Sequence, residues 1–149
     1  MKLEKVVEFH TYEHFGEILY VLHQNNRKYL NDSFAEYGLN LLQAMCILTI
    51  FGEGTISQTK LTEVLHLTKS GITKAIKNLE KEGYLIKEKS KKDARQYHLK
   101  LTEKGREIIP TLIRINNEWE EKIGLTEVDE NFIKTLNKLA YKSIELNSQ

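Results

Sequence analysis

The sequence predicts a mainly helical fold carrying one small β-hairpin. Three observations support this. Apolar residues recur at helical spacing along most of the 149 residues. One stretch, around QYHLKL, alternates with the period of two expected of a strand. One proline and eight glycines are too few for a turn-rich β-sandwich. The length suits a single domain with a real core.

The first helix is predicted from Glu4 to about Ala35, with Phe15, Ile18, Leu19 and Leu22 on one stripe and Gly38 as its stop. The second runs from about Asn40 to Ile50, burying Leu41, Leu42, Met45, Leu48 and Thr49, and ends at FGEG. Ser57 caps a short third helix whose Leu61, Val64 and Leu65 point inward. Thr68 caps the fourth, with Ile72, Ala75, Ile76 and Leu79 as its apolar stripe and a left-handed Gly83 at its end. YLIKEKS and QYHLKL form a hairpin linked by KKDAR, with Tyr97, Leu99 and Leu101 on one side and His98 and Lys100 on the other. Thr102 caps a long fifth helix ending near Gly124, its stripe Ile108, Leu112, Ile115, Trp119 and Ile123 widened by Ile109 and Ile113. Pro110 should bend that helix or loosen one turn. Thr126 caps the last helix, Asp129 stands at the capping-box position, and Phe132, Ile133, Leu136, Leu139, Ala140 and Ile144 form the apolar side.

Helix-helix-helix-hairpin is the winged helix-turn-helix arrangement. The fold is thus mainly α, or α+β by strict count, with a small two- to three-stranded wing sheet. The first and last helices carry more apolar stripe than so small a module can cover, and a second copy of the chain is the simplest partner.

Charge is unevenly distributed. Lys69 to Arg106 holds twelve Lys and Arg against five Asp and Glu, whereas the remaining residues hold ten against sixteen. Such a segment is either a solvated face or a surface for a polyanion. The exposed side of the fourth helix carries Lys69, Ser70, Thr73, Lys74, Lys77 and Asn78, with acid only in its last turn, where it opposes the helix dipole.

Residues 57 to 105 resemble the core of the MarR family of transcription regulators. The resemblance lies in Leu61–Leu65, then Ser70, Ile72, Thr73 and Lys74, then Leu79, Glu80, Gly83 and Lys87, and finally Asp93-Ala94-Arg95 followed by Leu101-Thr102 and Gly105. It implies a homodimer that binds double-stranded DNA at a pseudo-palindromic operator and acts as a repressor. It also implies control by a small aromatic or anionic ligand between the dimer helices and the DNA-binding lobe. In this division residues 39–105 form the DNA-binding lobe, and 1–38 and 106–149 the dimerisation helices. Tyr12, Phe15, Phe34 and Tyr37 either line the ligand cleft or are packing residues.

The DNA-binding candidates follow from chemistry and position. The helix opened by Thr68 should enter the major groove, with Ser70, Thr73 and Lys74 at bases and Lys69, Lys77 and Asn78 at phosphates. Ser57, Gln58 and Thr59 open the preceding helix, where backbone amides can meet a phosphate. Lys87, Lys89, Lys91 and Lys92 extend the positive surface along the hairpin. Asp93 is expected to clamp the guanidinium of Arg95, which then enters the minor groove; the alternative is an ordinary exposed ion pair. Gly71 and Ala94 replace side chains the family often carries.

Other chemistry is poorly supplied. His10 and His14 would share a helix face, but the fifth helix offers no histidine or cysteine to complete a metal site. No cofactor and no metal are expected. The lone Cys46 sits on an apolar helix and fits a reducing cytoplasm. No apolar run is long enough to cross a membrane, MKLEKVVEFH lacks a signal-peptide core, and no nucleophile–base pairing suggests an enzyme. The rival reading is a winged helix used for protein contacts, which needs neither the basic helix nor the wing arginine.

Overall fold

The computed structural model describes residues 11–93 and 95–148. Its elements are α1 (Phe15–Ala35), α2 (Leu41–Glu53), β1 (Thr55–Ser57), α3 (Gln58–Val64), α4 (Lys69–Lys81), β2 (Leu85–Lys89), β3 (Tyr97–Leu101), α5 (Glu103–Glu107), α6 (Ile109–Lys122), a 3-10 turn (Leu125–Glu127) and α7 (Glu130–Asn147). No helix among the described residues is long and apolar enough to cross a membrane.

The core gathers α2, α3, α4, the sheet and the inner side of α6 around Ile47, Ile50, Leu61, Ile72, Ile76, Leu79, Leu99 and Leu112. From α1 only Leu30 and Phe34, near its end, are buried. The sheet is antiparallel with order β1-β3-β2. Ile56 faces Leu99 across one ladder, and Leu85 faces Leu101 across the other. The apolar face of the sheet therefore closes over α2 and α4.

Several boundaries differ from expectation. His14 is the N-cap of α1, so this helix starts at Phe15, and the predicted start at Glu4 lies outside the described residues. α2 turns Gln43, Ala44, Cys46, Ile47 and Ile50 inward and leaves Met45 exposed. Asn40 and Gln43 form a reciprocal capping box at its start. Val64 of α3 is exposed, whereas Leu61 is fully buried. β1 adds a third strand to the hairpin. The long fifth helix is two helices broken at Ile108. Pro110 sits in the first turn of α6, where a missing N–H costs nothing. Ile113 and Ile123 are exposed rather than part of an inward stripe. Asp129, not Thr126, caps α7, accepting from the backbone N–H of Phe132 at 3.1 Å.

The connection between α4 and α5 fixes how the wing sits beside α4. Gly83 adopts φ +82° to end α4. The Thr102 hydroxyl donates to the Gly83 carbonyl at 2.6 Å and accepts from the Gly105 N–H at 3.1 Å. A Cβ on Gly105 would run into the Tyr84 carbonyl oxygen, so a side chain there would push α5 off the start of β2. Lys104 donates from Nζ to the Glu82 carbonyl at 2.6 Å while lying over the Tyr84 ring. It thereby places a cation at the end of α4, offsetting the acid of the last turn.

Candidate nucleic-acid interface

α3 and α4 form the helix-turn-helix. The turn between them carries His66 at φ +51°, and the Leu67 N–H returns to the Thr62 carbonyl at 3.1 Å. Ser57 caps α3 by accepting from the Lys60 N–H at 3.0 Å, and Thr68 caps α4 by accepting from the Gly71 N–H at 3.1 Å. Both predicted caps are present. Gly71 has a local reason as well, since a Cβ there would press on the Thr68 hydroxyl. Thr68 also lies 3.3 Å from the Ser70 hydroxyl, so its oxygen serves the start of the helix.

α4 buries Ile72, Ala75, Ile76 and Leu79 as its spacing predicts, which leaves the opposite side to solvent. That outer side brings Lys69, Ser70, Thr73, Lys74, Lys77 and Asn78 together. Lys69 and Thr73 also line an adjoining groove of about 480 Å³, whose other walls include Ser57, Gln58 and Thr59 of the preceding segment and Arg95, Gln96 and Tyr97 of the wing. Most of the predicted site residues thus share one continuous surface. Among the described residues the ion pairs are Lys28–Asp32, Arg114–Glu118 and Lys142–Glu145, none of which involves α4 or the wing. The cations of α4 and Arg95 are therefore not neutralised by carboxylates, and their field faces solvent.

The hairpin departs from expectation in two respects. Asp93 does not clamp the guanidinium of Arg95. Its Oδ1 accepts from the backbone N–H of Arg95 at 3.0 Å, and the carboxylate organises the turn instead. The Ser90 hydroxyl accepts from the Lys92 and Asp93 N–H groups, and the Gln96 N–H donates to the Asp93 carbonyl, so the loop is held by its own bonds. Arg95 is positioned through its backbone and lines the groove. Lys87 is opposite Leu99 in the ladder and half-buried, on the inner side of the sheet. Lys91 and Lys92 are exposed in the loop; Ala94 lies outside the described residues.

Two side chains contribute in ways that were not anticipated. The Gln58 side chain donates from Nε2 to the Thr73 hydroxyl at 3.3 Å, joining α3 to α4 across the groove. Tyr97 is exposed and lines the groove instead of packing with Leu99. The Thr73 hydroxyl donates to the Lys69 carbonyl at 2.7 Å, so its proton is engaged within the helix.

Elsewhere, His14 lies outside the helix body at the N-cap, and His10 lies outside the described residues. No group of three metal-ligating side chains exists among the described residues. Three of the four aromatics named for a ligand cleft have separate surroundings: Phe34 is core, Phe15 lines a groove between α1, α6 and α7, and the Tyr37 hydroxyl accepts from Arg114 at 3.2 Å.

Residues 28–112 match the family described as transcriptional regulator SarA/Rot. The transcriptional regulator SarZ of Staphylococcus epidermidis is 26% identical over 129 residues, covering 86% of this chain and 87% of its own length. A crystal structure of MarR superposes with a TM-score of 0.82 at 23% identity, covering 95% of this chain and 99% of that one, and establishes the shared fold. A MarR family regulator from Listeria monocytogenes, solved with a 26mer DNA, superposes with a TM-score of 0.77 at 29% identity over 91% of this chain and 89% of its own. With more than half of its length inside the matched span and a winged helix-turn-helix within that span, the chain belongs to the SarA/Rot family of MarR-type transcription regulators, DNA-binding proteins rather than enzymes.

Proposed function

We propose that the protein is a homodimeric repressor that binds a pseudo-palindromic operator, with α4 in the major groove and Arg95 in the minor groove. The observation that carries this reading is the outer side of α4, where Lys69, Lys74 and Lys77 stand without carboxylate partners among the described residues, beside a wing that presents Arg95. Lys69, Lys77, Asn78, Lys91 and Lys92 contact phosphates, and Ser70, Thr73 and Lys74 face base edges. The N-terminal turn of α3, opened by Ser57, adds backbone donors toward a phosphate.

Dimerisation is supported by the groove between α1, α6 and α7. Phe15, Ile18, Leu19, Leu22, Phe132, Ile133 and Leu136 line it, and all are exposed in the single chain. An apolar surface of that extent on a chain of this size calls for a partner. In this division residues 39–105 read DNA, and the helices within 1–38 and 106–149 pair. Two copies of α4 would then meet major grooves about one helical turn, ~34 Å, apart. A small aromatic or anionic effector acts by preferring the dimer geometry that does not fit DNA. The protein works in the cytoplasm, where its operator lies.

The test combines sedimentation with gel shifts on duplexes selected from a random pool, repeated across a salt series. The expected result is a dimer whose log affinity falls steeply and linearly with log salt, by about 0.9 per phosphate contacted. A monomer indifferent to every duplex at low salt overturns the reading.

A further inference from the structure

The chemistry of Thr73 narrows what α4 reads. A threonine hydroxyl has one proton and two lone pairs. In Thr73 the proton goes to the Lys69 carbonyl at 2.7 Å, and one lone pair takes the Gln58 amide at 3.3 Å. The bond to the residue one turn earlier also holds the side chain in a single rotamer. Thr73 is half-buried, and it lines both the outer side of α4 and the adjoining groove. With its proton and one lone pair engaged, the side chain cannot donate to a base, and it keeps one lone pair and the methyl group. In the major groove an apolar methyl finds its complement in the C5-methyl of thymine, the one apolar feature there that distinguishes a base.

We propose that Thr73 is a specificity-determining residue that reads a thymine by methyl-to-methyl contact, its hydroxyl proton held by the Lys69 carbonyl and one lone pair by Gln58. This rests on the reading of α4 as the helix that enters the major groove. Removing the contact costs the burial of about one methyl group, roughly a fourfold loss of affinity per α4 helix.

The experiment begins with duplexes that the purified full-length protein enriches from a random pool. In an enriched duplex each thymine is replaced in turn by deoxyuridine, which lacks only the methyl. Affinity is measured for the wild type and for Thr73→Ser and Thr73→Val, with thermal melts confirming that both variants are folded. The proposal expects a thymine at which deoxyuridine weakens wild-type binding about fourfold. Thr73→Ser, which removes the methyl from both α4 helices of the dimer, should lose about sixteenfold on the thymine duplex and nothing further on deoxyuridine. Thr73→Val, which keeps a methyl and discards the hydroxyl, should still lose affinity about fourfold when that thymine becomes deoxyuridine. The proposal is overturned if no thymine is sensitive, if the sensitivity survives in Thr73→Ser, or if it vanishes in Thr73→Val, since the hydroxyl and not the methyl would then be the contact. Failure to enrich any duplex would instead overturn the DNA reading on which the proposal stands.

Discussion

The Thr102 hydroxyl lies 2.6 Å from the Gly83 carbonyl oxygen, a bond that joins the residue ending α4 to the residue capping α5. The Thr102 hydroxyl oxygen also accepts from the Gly105 N–H, and the Thr102 N–H donates to the Tyr84 carbonyl at 3.0 Å. Two short bonds and a cap therefore set the strand-to-helix corner beside α4. Thr102→Val keeps the shape and loses both hydroxyl bonds. It should lower stability by about 1–2 kcal/mol, read as a shift in the urea midpoint. Gly105→Ala should cost about as much or more, because its methyl meets the Tyr84 carbonyl.

Cys46 is fully buried on α2, and burial pushes its thiol up to about 12. A thiol that keeps its proton is a poor nucleophile, so peroxide should leave DNA binding unchanged, as gel shifts before and after treatment would show. The pH dependence follows with a definite sign. In the unfolded chain the thiol titrates near its ordinary 9.0, whereas the folded chain holds the proton up to about 12. The contribution is full below 9 and is lost between 9 and 12, by about 1.4 kcal/mol per pH unit. Urea midpoints at pH 8 and above pH 10 should therefore fall more steeply for the wild type than for Cys46→Ala, although the variant starts lower because it leaves a small cavity.

How much of this was readable in the residues depended on whether one element alone determined the answer. α4 was legible because a cap, a four-residue apolar stripe and a terminal glycine agree over one stretch. α2 was not legible in phase: LLQAMCILTIF is apolar nearly all round, so nothing in it marks an outside, and packing chose Ala44, Cys46, Ile47 and Ile50. β1 is three residues long and exists through its pairing with β3, a contact some forty positions away. The break at Ile108 was half legible, since Pro110 announced a disturbance but not that it would open a new helix. The wing shows the same limit at the site. Asp93 and Arg95 announce an interaction, but whether the carboxylate meets the guanidinium or the nearer N–H is decided by the turn.

That turn separates two accounts of Asp93. A carboxylate clamping a guanidinium depends on its charge, and Asp93→Asn would abolish it. A side-chain oxygen accepting a backbone N–H does not, because the asparagine amide oxygen accepts equally well. Asp93→Asn should thus keep DNA affinity within a few-fold of the wild type, whereas Asp93→Ala, which frees the turn, should lose about tenfold, the equivalent of one hydrogen bond. Arg95→Ala should weaken binding more than either and lower the salt slope by about one phosphate contact. Gel shifts of the three variants on one selected duplex at two salt concentrations distinguish these outcomes.

The apolar groove makes the last prediction. Leu136 of α7 faces Phe15, Ile18, Leu19 and Leu22 of α1 and Trp119 of α6 around a single cleft that the chain leaves open to solvent. Leu136→Glu places a charge there. In an isolated chain the position is already partly exposed, so the fold should tolerate it and the circular dichroism spectrum should be retained. In a dimer the carboxylate would be buried without a partner, at a cost of several kcal/mol on each side of the twofold axis. Sedimentation should then show a folded monomer, and affinity for a two-half-site duplex should fall toward that for a single half-site. A variant that remains dimeric and binds normally would mean that this groove is not where two chains meet, and α1 and α7 would need another role.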